Sequence, residues 1–535
     1  MSTVATAAPS TATMGLTSTL LSKLLPLISQ SANRKKLLLA LILYTVYKYR
    51  RSVLFVRPRP DLPGPPGLPL IGNFWEMATV PKTDFHQSQE RNFAKYGKVY
   101  TMAIPGIGRT ITVKDPEILD HILRTHFWIY EKGTRFKETL GPLAGDGIFT
   151  ADGDHWKWQR QHASKIFTVK AFRQYTNDVF VQEAQRAINY LDKFADTGKS
   201  VDLQRLFYCF TLDSFGEIAF GEVFGCLDDP SEDVEFAAAF DRLNHGLAGR
   251  FLSPVWKLVD WWTGNDIRVA ADRAIVRDFA QKIIDRRRRE RAQQVKVDEG
   301  KDVGLGKKDL LQLFMDIGSE EGGTPLSDEM LVDSVLNFVI AGRDTTAQAL
   351  AWTFYLMHRR EADPAIVPAI LQETDTILKG NPPTYETTKQ QKFAEACFNE
   401  SLRLFPAVPR NAKICTQDDV LPGGIKVHKG ERVTWNVWAM GRDQDLWGED
   451  AREYNPFRWG KMDKPSSAKF ASFHHGPRTC LGQGFAVTEA VTLMSMFFQK
   501  FTFELENPDQ KANYMASLTL PMEGGLRAYV KRRTD

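Results

Sequence analysis

Residues 473–482 read FHHGPRTCLG, and residues 484–498, GFAVTEAVTLMSMFF, then repeat their apolar positions with helical period. Cys480 therefore stands in a turn punctuated by Gly476, Pro477 and Gly482, just ahead of a helix. Amide N–H groups and the dipole at a helix start favour a thiolate. Gly476 and Gly482 lack side chains, so the backbone there can lie close to a bulky flat group. Arg478 sets a cation two residues from the sulfur. A lone cysteine is ordinarily a small buried hydrophobe, and that reading suffices for Cys209, Cys226, Cys397 and Cys415. Phe473 and the glycines and arginine around Cys480 set it apart as a candidate ligand.

The long apolar stretch at residues 326–357, LSDEMLVDSVLNFVIAGRDTTAQALAWTFYLM, predicts a helix of about 30 residues, ~45 Å at 1.5 Å per residue. Ser327 is a suitable N-cap, with Asp328 and Glu329 in the first turn. Its middle, AGRDTT (341–346), breaks the pattern: a mid-helix glycine costs ~1 kcal/mol relative to alanine, and an acid and two threonines add to that. A local rule broken inside a core helix points to a functional site. The plain alternative is a kink with satisfied hydroxyls.

Two further patterns are weaker alone. ESLR (400–403) puts Glu400 and Arg403 on one helix face ended by Pro406, and Arg458 of YNPFRW (454–459) could complete a buried charge cluster. In HWKWQRQH (155–162), Trp156 and Arg160 stand four apart, suited to a carboxylate-bearing ligand or to a simple aromatic–cation pair.

Around these motifs the chain of 535 residues is 43% hydrophobic, enough for a large core. The five cysteines form no CxxC pair, which disfavours a disulfide framework and a structural zinc site and suits a reduced, cytosol-facing protein. Net charge is +4, but residues 1–60 carry nine Lys or Arg and no acid, leaving the remainder slightly acidic. That division excludes a nucleic-acid binder and predicts a globular body tied to a membrane. The apolar run LLLALILYTVY (37–47), flanked by basic residues, is the expected anchor within residues 1–56, short against the ~20 residues of a full span but extendable by snorkelling. A cleaved signal peptide is the alternative. The proline-rich residues 57–73 read as a stiff connector, and 74–535 as one catalytic domain. Residues 98–115 alternate like a hairpin, residues 421–436 read similarly, and residues 295–308 suit an exposed loop. The arginines at 286–289 and 291 suit a solvated helix end, and neither a GxGxxG nor a Walker loop is present.

Taken together, FHHGPRTCLG, AGRDTT, ESLR, PFRW, Trp156 and Arg160, behind a membrane anchor and proline hinge, resemble the cytochrome P450 family along essentially the whole chain. The resemblance implies a mainly α fold with small β-sheets (α+β). It implies haem b, with Cys480 as the axial thiolate that promotes O–O cleavage. Phe473 and Gly482 would shape the haem loop, and Trp156, Arg160 and Arg478 would hold the propionates. Ala341 and Gly342 would leave a groove for O2, to which Asp344 and Thr345 would relay protons. Glu400, Arg403 and Arg458 would be a structural triad. Arg458 is retained although its element reads PFRW.

The resemblance also implies hydroxylation of a hydrophobic substrate by one atom of O2. Electrons would come from NADPH through a separate cytochrome P450 reductase, with cytochrome b5 as an alternative donor, at the endoplasmic reticulum membrane. Lys157, Arg160 and Lys165 could help form the docking face. Residues 141–160, 341–357 and 400–411 look like the fungal n-alkane and fatty-acid hydroxylase branch, with another lipid or a fungal secondary metabolite as the alternative substrate. A haem-thiolate isomerase or a haem sensor without turnover are the rivals, disfavoured by the presence of both Asp344 and Thr345.

Overall fold

The structure, a computed structural model, describes residues 36, 39–41, 44, 59, 61–68, 71–166, 170–297, 310–320, 326–515 and 517–534. The expected anchor within residues 1–56 lies almost wholly outside these, as does most of the loop expected at 295–308. Among the described residues, no helix is long and apolar enough to cross a membrane.

The architecture is mainly helical with small sheets. Its principal helices are α1 (Phe85–Tyr96), α2 (Pro116–Asp120), α3 (Gly153–Ile166), α4 (Lys170–Leu191), α5 (Leu203–Phe220), α6 (Glu235–Leu252), α7 (Trp256–Thr263), α8 (Asn265–Val297), α9 (Asp328–Val339), α10 (Thr345–His358), α11 (Lys392–Leu404) and α12 (Gln483–Lys500). Helix α5 is mostly apolar and buried on nearly every face, so it sits at the centre of the helical layer. Its start is capped by Asp202, whose carboxylate accepts from the Arg205 N–H. Against it lies the predicted long helix, which runs from α9 through a π-helical turn, Ile340–Asp344, into α10. Ser327 caps it as expected, accepting from the Met330 N–H at 3.3 Å. The AGRDTT irregularity is thus a π-bulge, the usual way an extra residue is absorbed into a helix at a working site.

Strands β1 (Val99–Ile104) and β2 (Gly108–Val113) form the predicted antiparallel hairpin. The remaining strands are β3 (Tyr130–Glu131), β4 (Ser200–Asp202), β5 (Arg410–Cys415), β6 (Asp419–Leu421), β7 (Ile425–Val427), β8 (Arg432–Asn436), β9 (Phe501–Leu505) and β10 (Arg527–Arg532). The large sheet has the order β1-β2-β8-β5-β3, and the small ones are β4-β10-β9 and β6-β7. Residues 421–436 are not a hairpin. β7 pairs back to β6, whereas β8 crosses to lie parallel to β2 and antiparallel to β5. Buried Val433 and Trp435 draw β8 into a separate apolar cluster with Ile111 and Val113, and that packing overrides the local turn.

The described part of the proline-rich segment is fastened down rather than a free spacer. Pro63 O accepts from the Thr101 N–H at 2.8 Å, Asn73 Nδ2 donates to Pro65 O, and Arg59 pairs with Glu431 at 3.0 Å. It lies along β1, where proline's missing N–H does no harm. The arginine run lies on α8 and is largely paired: Arg286 with Glu222, Arg287 with Glu290 and Arg288 with Asp328.

Candidate active site

Cys480 and the π-bulge belong to elements packed around one apolar core. Helix α12 buries its Ala490–Phe498 stretch against that core, and the loop ahead of it is held by short-range geometry. The Cys480 N–H donates to Phe473 O at 2.9 Å, closing the loop, and Ser472 Oγ donates to Leu402 O at 2.8 Å, tying it to α11. Gly476 has φ +69 and lies so close to the Leu123 carbonyl that a Cβ would overlap it. Phe473 faces a cleft of about 980 Å³ bounded by α11 and by Phe457, Trp459 and Phe470. The Cys480 side chain is accessible, yet its surroundings are dense enough that desolvation raises its thiol pKa, opposed by a backbone hydrogen bond from Gly482 and by Arg160. That combination describes a sulfur opening into an internal space rather than into bulk water. Gly482 itself precedes α12 as its N-cap.

A second feature borders the same sulfur: an excess of buried positive charge. Arg478 donates to Ala151 O at 2.7 Å and pairs with Asp152 at 2.9 Å, while its Nε is buried without a partner. Its guanidinium lies 4.4 Å over the Trp156 ring. The cation on that tryptophan is thus Arg478 and not the helical neighbour Arg160. Arg160 is half-buried and has its pKa lowered by desolvation, with Cys480 pulling the other way. Lys132 is pushed down to about 7, by burial first and by Arg478 second. Lys413, 1% exposed on β5, donates to Tyr130 O at 3.1 Å and is lowered well below an ordinary lysine, again by desolvation first. His474 is lowered to about 3 by burial, then by Lys132, and its Nε2 has no partner. Sequence reasoning found Trp156, Arg160 and Arg478 and missed Lys132, Lys413 and His474. Only the doubled histidine of FHHGPRTC was a readable signal.

Three of these cations, Arg478, Lys132 and Lys413, share the Asp152 carboxylate, which also accepts from the Lys132 backbone N–H. Such a cluster is costly when left alone and suits a ligand carrying two further negative charges. The orphaned donors on Arg478 and His474 make the same point by hydrogen-bond count. A flat dianion with a metal that accepts thiolate fits both halves of the site, and haem has that composition.

The π-bulge lies on a second element packed on the same core. Along the buried helix only Ala341 and Thr345 are half-exposed over residues 339–350, four apart and so on one face. Thr345 Oγ1 donates to Ala341 O at 2.6 Å. Gly342 turns elsewhere: it is buried, and a Cβ there would strike the Phe215 ring, so it allows α5 to pack closely. Asp344 also turns away from Thr345. It accepts from Asn244 Nδ2 at 2.8 Å and from Arg343 at 3.0 Å, and Arg343 pairs in turn with Asp241 on α6. Burial pushes the Asp344 carboxyl up to about 6 against the pull of Arg343.

The expected triad is assembled and wholly buried. Arg403 holds Glu400 with two nitrogens, at 2.9 and 2.8 Å, and Arg458 Nε reaches the same carboxylate at 2.9 Å. Trp459 Nε1 and the Asn455 N–H also donate to it, and Asp450 balances Arg458 at 2.8 Å. The remaining Arg403 donors serve the carbonyls of Gly441, Ala451 and Glu453. The cluster pins the segment after β8 to α11, and so supports the cysteine loop.

The family model for cytochrome P450 matches residues 62–526. The chain belongs to the cytochrome P450 family. Relatives of this P450 include the cytochrome P450 monooxygenase cyp1 of Mycosarcoma maydis, 36% identical over 502 residues, 90% of this chain and 77% of that protein. Cytochrome P450 704C1 of Pinus taeda is 33% identical over 475 residues, 84% of this chain and 89% of the relative. Cytochrome P450 86B1 of Arabidopsis thaliana is 33% identical over 448 residues, 80% and 78% of the two chains. As a P450, the chain is an oxidoreductase of the monooxygenase class that uses haem with a cysteine thiolate and O2.

Proposed function

We propose that this P450 hydroxylates a long-chain fatty acid or n-alkane at or near its terminal carbon, with NADPH electrons supplied by a separate reductase. The observation that supports the reading is the Cys480 loop with its cation cluster, packed on the same core as the helix that carries the half-exposed Ala341 and Thr345. Bound haem would supply oxygen activation. Cys480 would ligate the iron, and Arg160, Arg478, Lys132 and Lys413 would neutralise the propionates beside Trp156. Phe473 and Gly482 would shape the loop on the sulfur side, and Ala341 would border the O2 site, while Gly342, expected there too, instead lets α5 pack closely. Thr345 would hold a proton at its Oγ1, and Asp344, with its raised pKa, would replenish it after leaving Arg343. Glu400, Arg403 and Arg458 would act as structural support.

The likeness of residues 141–160, 341–357 and 400–411 to the alkane and fatty-acid hydroxylase branch supports the substrate class. Membrane association, at the endoplasmic reticulum with residues 1–56 as anchor, 57–73 as connector and 74–535 as catalytic domain, has support from the surface. Helix α7 exposes Leu258, Trp261 and Trp262 at 61%, 66% and 80%. Pro254, just before it, lies beside Gly106 of the β1–β2 turn, and Leu68 and Trp75 are exposed near the start of the same sheet. Exposed tryptophans with aliphatic neighbours suit a lipid interface. Exposed Lys157 on α3 suits a reductase, or cytochrome b5, approaching from the cysteine side.

The deciding experiment is turnover of membrane-expressed enzyme with reductase, NADPH and a series of saturated fatty acids and alkanes. Terminal hydroxy products are expected. A thiolate-type carbon monoxide spectrum without any lipid product would discard the substrate and keep the enzyme class.

A further inference from the structure

We propose that His121, His126 and Asp419 form a binding site for a divalent transition-metal ion of the zinc type, separate from the haem site. The turn after α2, His121–Thr125, is π-helical, and the His126 N–H donates to His121 O five residues back at 2.8 Å. In an α-helix, residues five apart point about 140° away from each other. The π turn instead stacks the two imidazoles, with ring centroids 3.8 Å apart and planes 17° from parallel. Asp419, at the start of β6, brings its carboxylate to 2.8 Å from His121 Nε2. One ligand atom from each of the three residues lies within 4.8 Å of the others.

The surroundings of the cluster match those of metal ligands. The Tyr130 hydroxyl donates to Asp419 at 2.7 Å and fixes its carboxylate. Thr125 Oγ1 lies 3.2 Å from His126 Nδ1, which orients that ring with Nε2 left for a ligand. Two imidazoles and one carboxylate are a donor set for zinc, with bonds of about 2.0–2.2 Å and a fourth position for water. Exposed His126 is free to swing the remaining distance. An ion here would tie β6 to the turn that carries the Leu123 carbonyl, on which Gly476 of the cysteine loop rests. Asp120, at the other end of the same turn, pairs with His475 at 2.9 Å. The ion would therefore brace the support of Cys480 without touching it.

The test uses untagged, haem-loaded enzyme, treated with chelator and then dialysed to equilibrium against Zn²⁺, with zinc counted per haem. One zinc per chain is expected at low-micromolar free Zn²⁺. Affinity should fall at least about tenfold in His126→Ala and in Asp419→Asn, and stay unchanged in His155→Ala, another exposed histidine beside a carboxylate. Because His126 is exposed, its variant should load haem normally, and haem content is read in the same samples. Zinc retention that neither variant alters, or no retention by the parent enzyme up to about 100 µM Zn²⁺, would overturn the site.

Discussion

Arg343 grips Asp241 with both terminal nitrogens, at 2.5 and 2.9 Å, and its 3.0 Å contact with Asp344 carries that grip to the next residue of the helix. Asp241 lies on α6 and its side chain is 36% exposed, whereas Arg343 and Asp344 are buried. A charge near the surface thus acts on the buried Asp344 carboxyl. The Asp241 charge raises the Asp344 pKa, and Arg343 lowers it. Asp241→Asn removes the upward push, so the protonated fraction of Asp344, already a minority at neutral pH with a pKa of about 6, falls further. Product per NADPH is expected to fall several-fold near pH 7.5 and to recover toward pH 6. A loss that is equal at every pH would mean that Asp241 only supports the fold.

The buried triad gives a graded prediction. Arg403 serves Glu400 and three backbone carbonyls with no exposure to water, so Arg403→Lys leaves buried acceptors unpaired. Each buried acceptor left unpaired costs about 1–3 kcal/mol, and several together are a large share of total stability. Haem-loaded protein should be nearly absent on expression. Arg458→Lys, at a position backed by Asp450, should retain a measurable fraction, read from the carbon monoxide spectrum.

Glu489 on α12 ties α5 to the π-bulge helix. Its carboxyl hydrogen-bonds Ser214 Oγ at 2.8 Å and also engages Thr346. Burial raises its pKa to about 8 from an ordinary value of 4.5. Between those values the folded chain holds a proton that the unfolded chain has released. This contribution is fully present below pH 4.5 and is lost as pH rises through 8, at most on the order of 5 kcal/mol. Glu489→Gln should flatten the urea midpoint against pH across that window. An unchanged slope would show the carboxyl to be ionised and hydrated.

Lys413 separates the two states of the site. Without a counter-anion its buried ammonium is a burden, as its lowered pKa indicates. With haem bound, as proposed, it would neutralise a propionate. Lys413→Met should therefore leave the haem-free protein no less stable to urea, while haem passes to an acceptor globin several-fold faster. Both the urea unfolding and the haem transfer are followed optically. Slower or unchanged haem transfer would remove Lys413 from the propionate set.

Much of the site was legible because its chemistry is local. The cysteine loop, the capped long helix and the Glu400–Arg403 pair depend on residues within one or two turns, and spacing alone places them. The hairpin at residues 98–115 was readable for the same reason, whereas residues 421–436 were not, since β8 pairs with strands about three hundred residues away and others just before it. Nothing local marks Lys132 or Lys413 for burial beside Arg478.

By itself the sequence determined the family, the thiolate position and the break in the long helix, because each follows from residue type and near-neighbour period. The tertiary structure alone decided where the side chains point. It turned Asp344 to Arg343 and Asn244, gave Gly342 to Phe215, put Arg478 rather than Arg160 on Trp156, and stacked His121 on His126 beside Asp419. The physical reason is that charge pairing and close packing are settled by long-range contacts, whose partners no local pattern records.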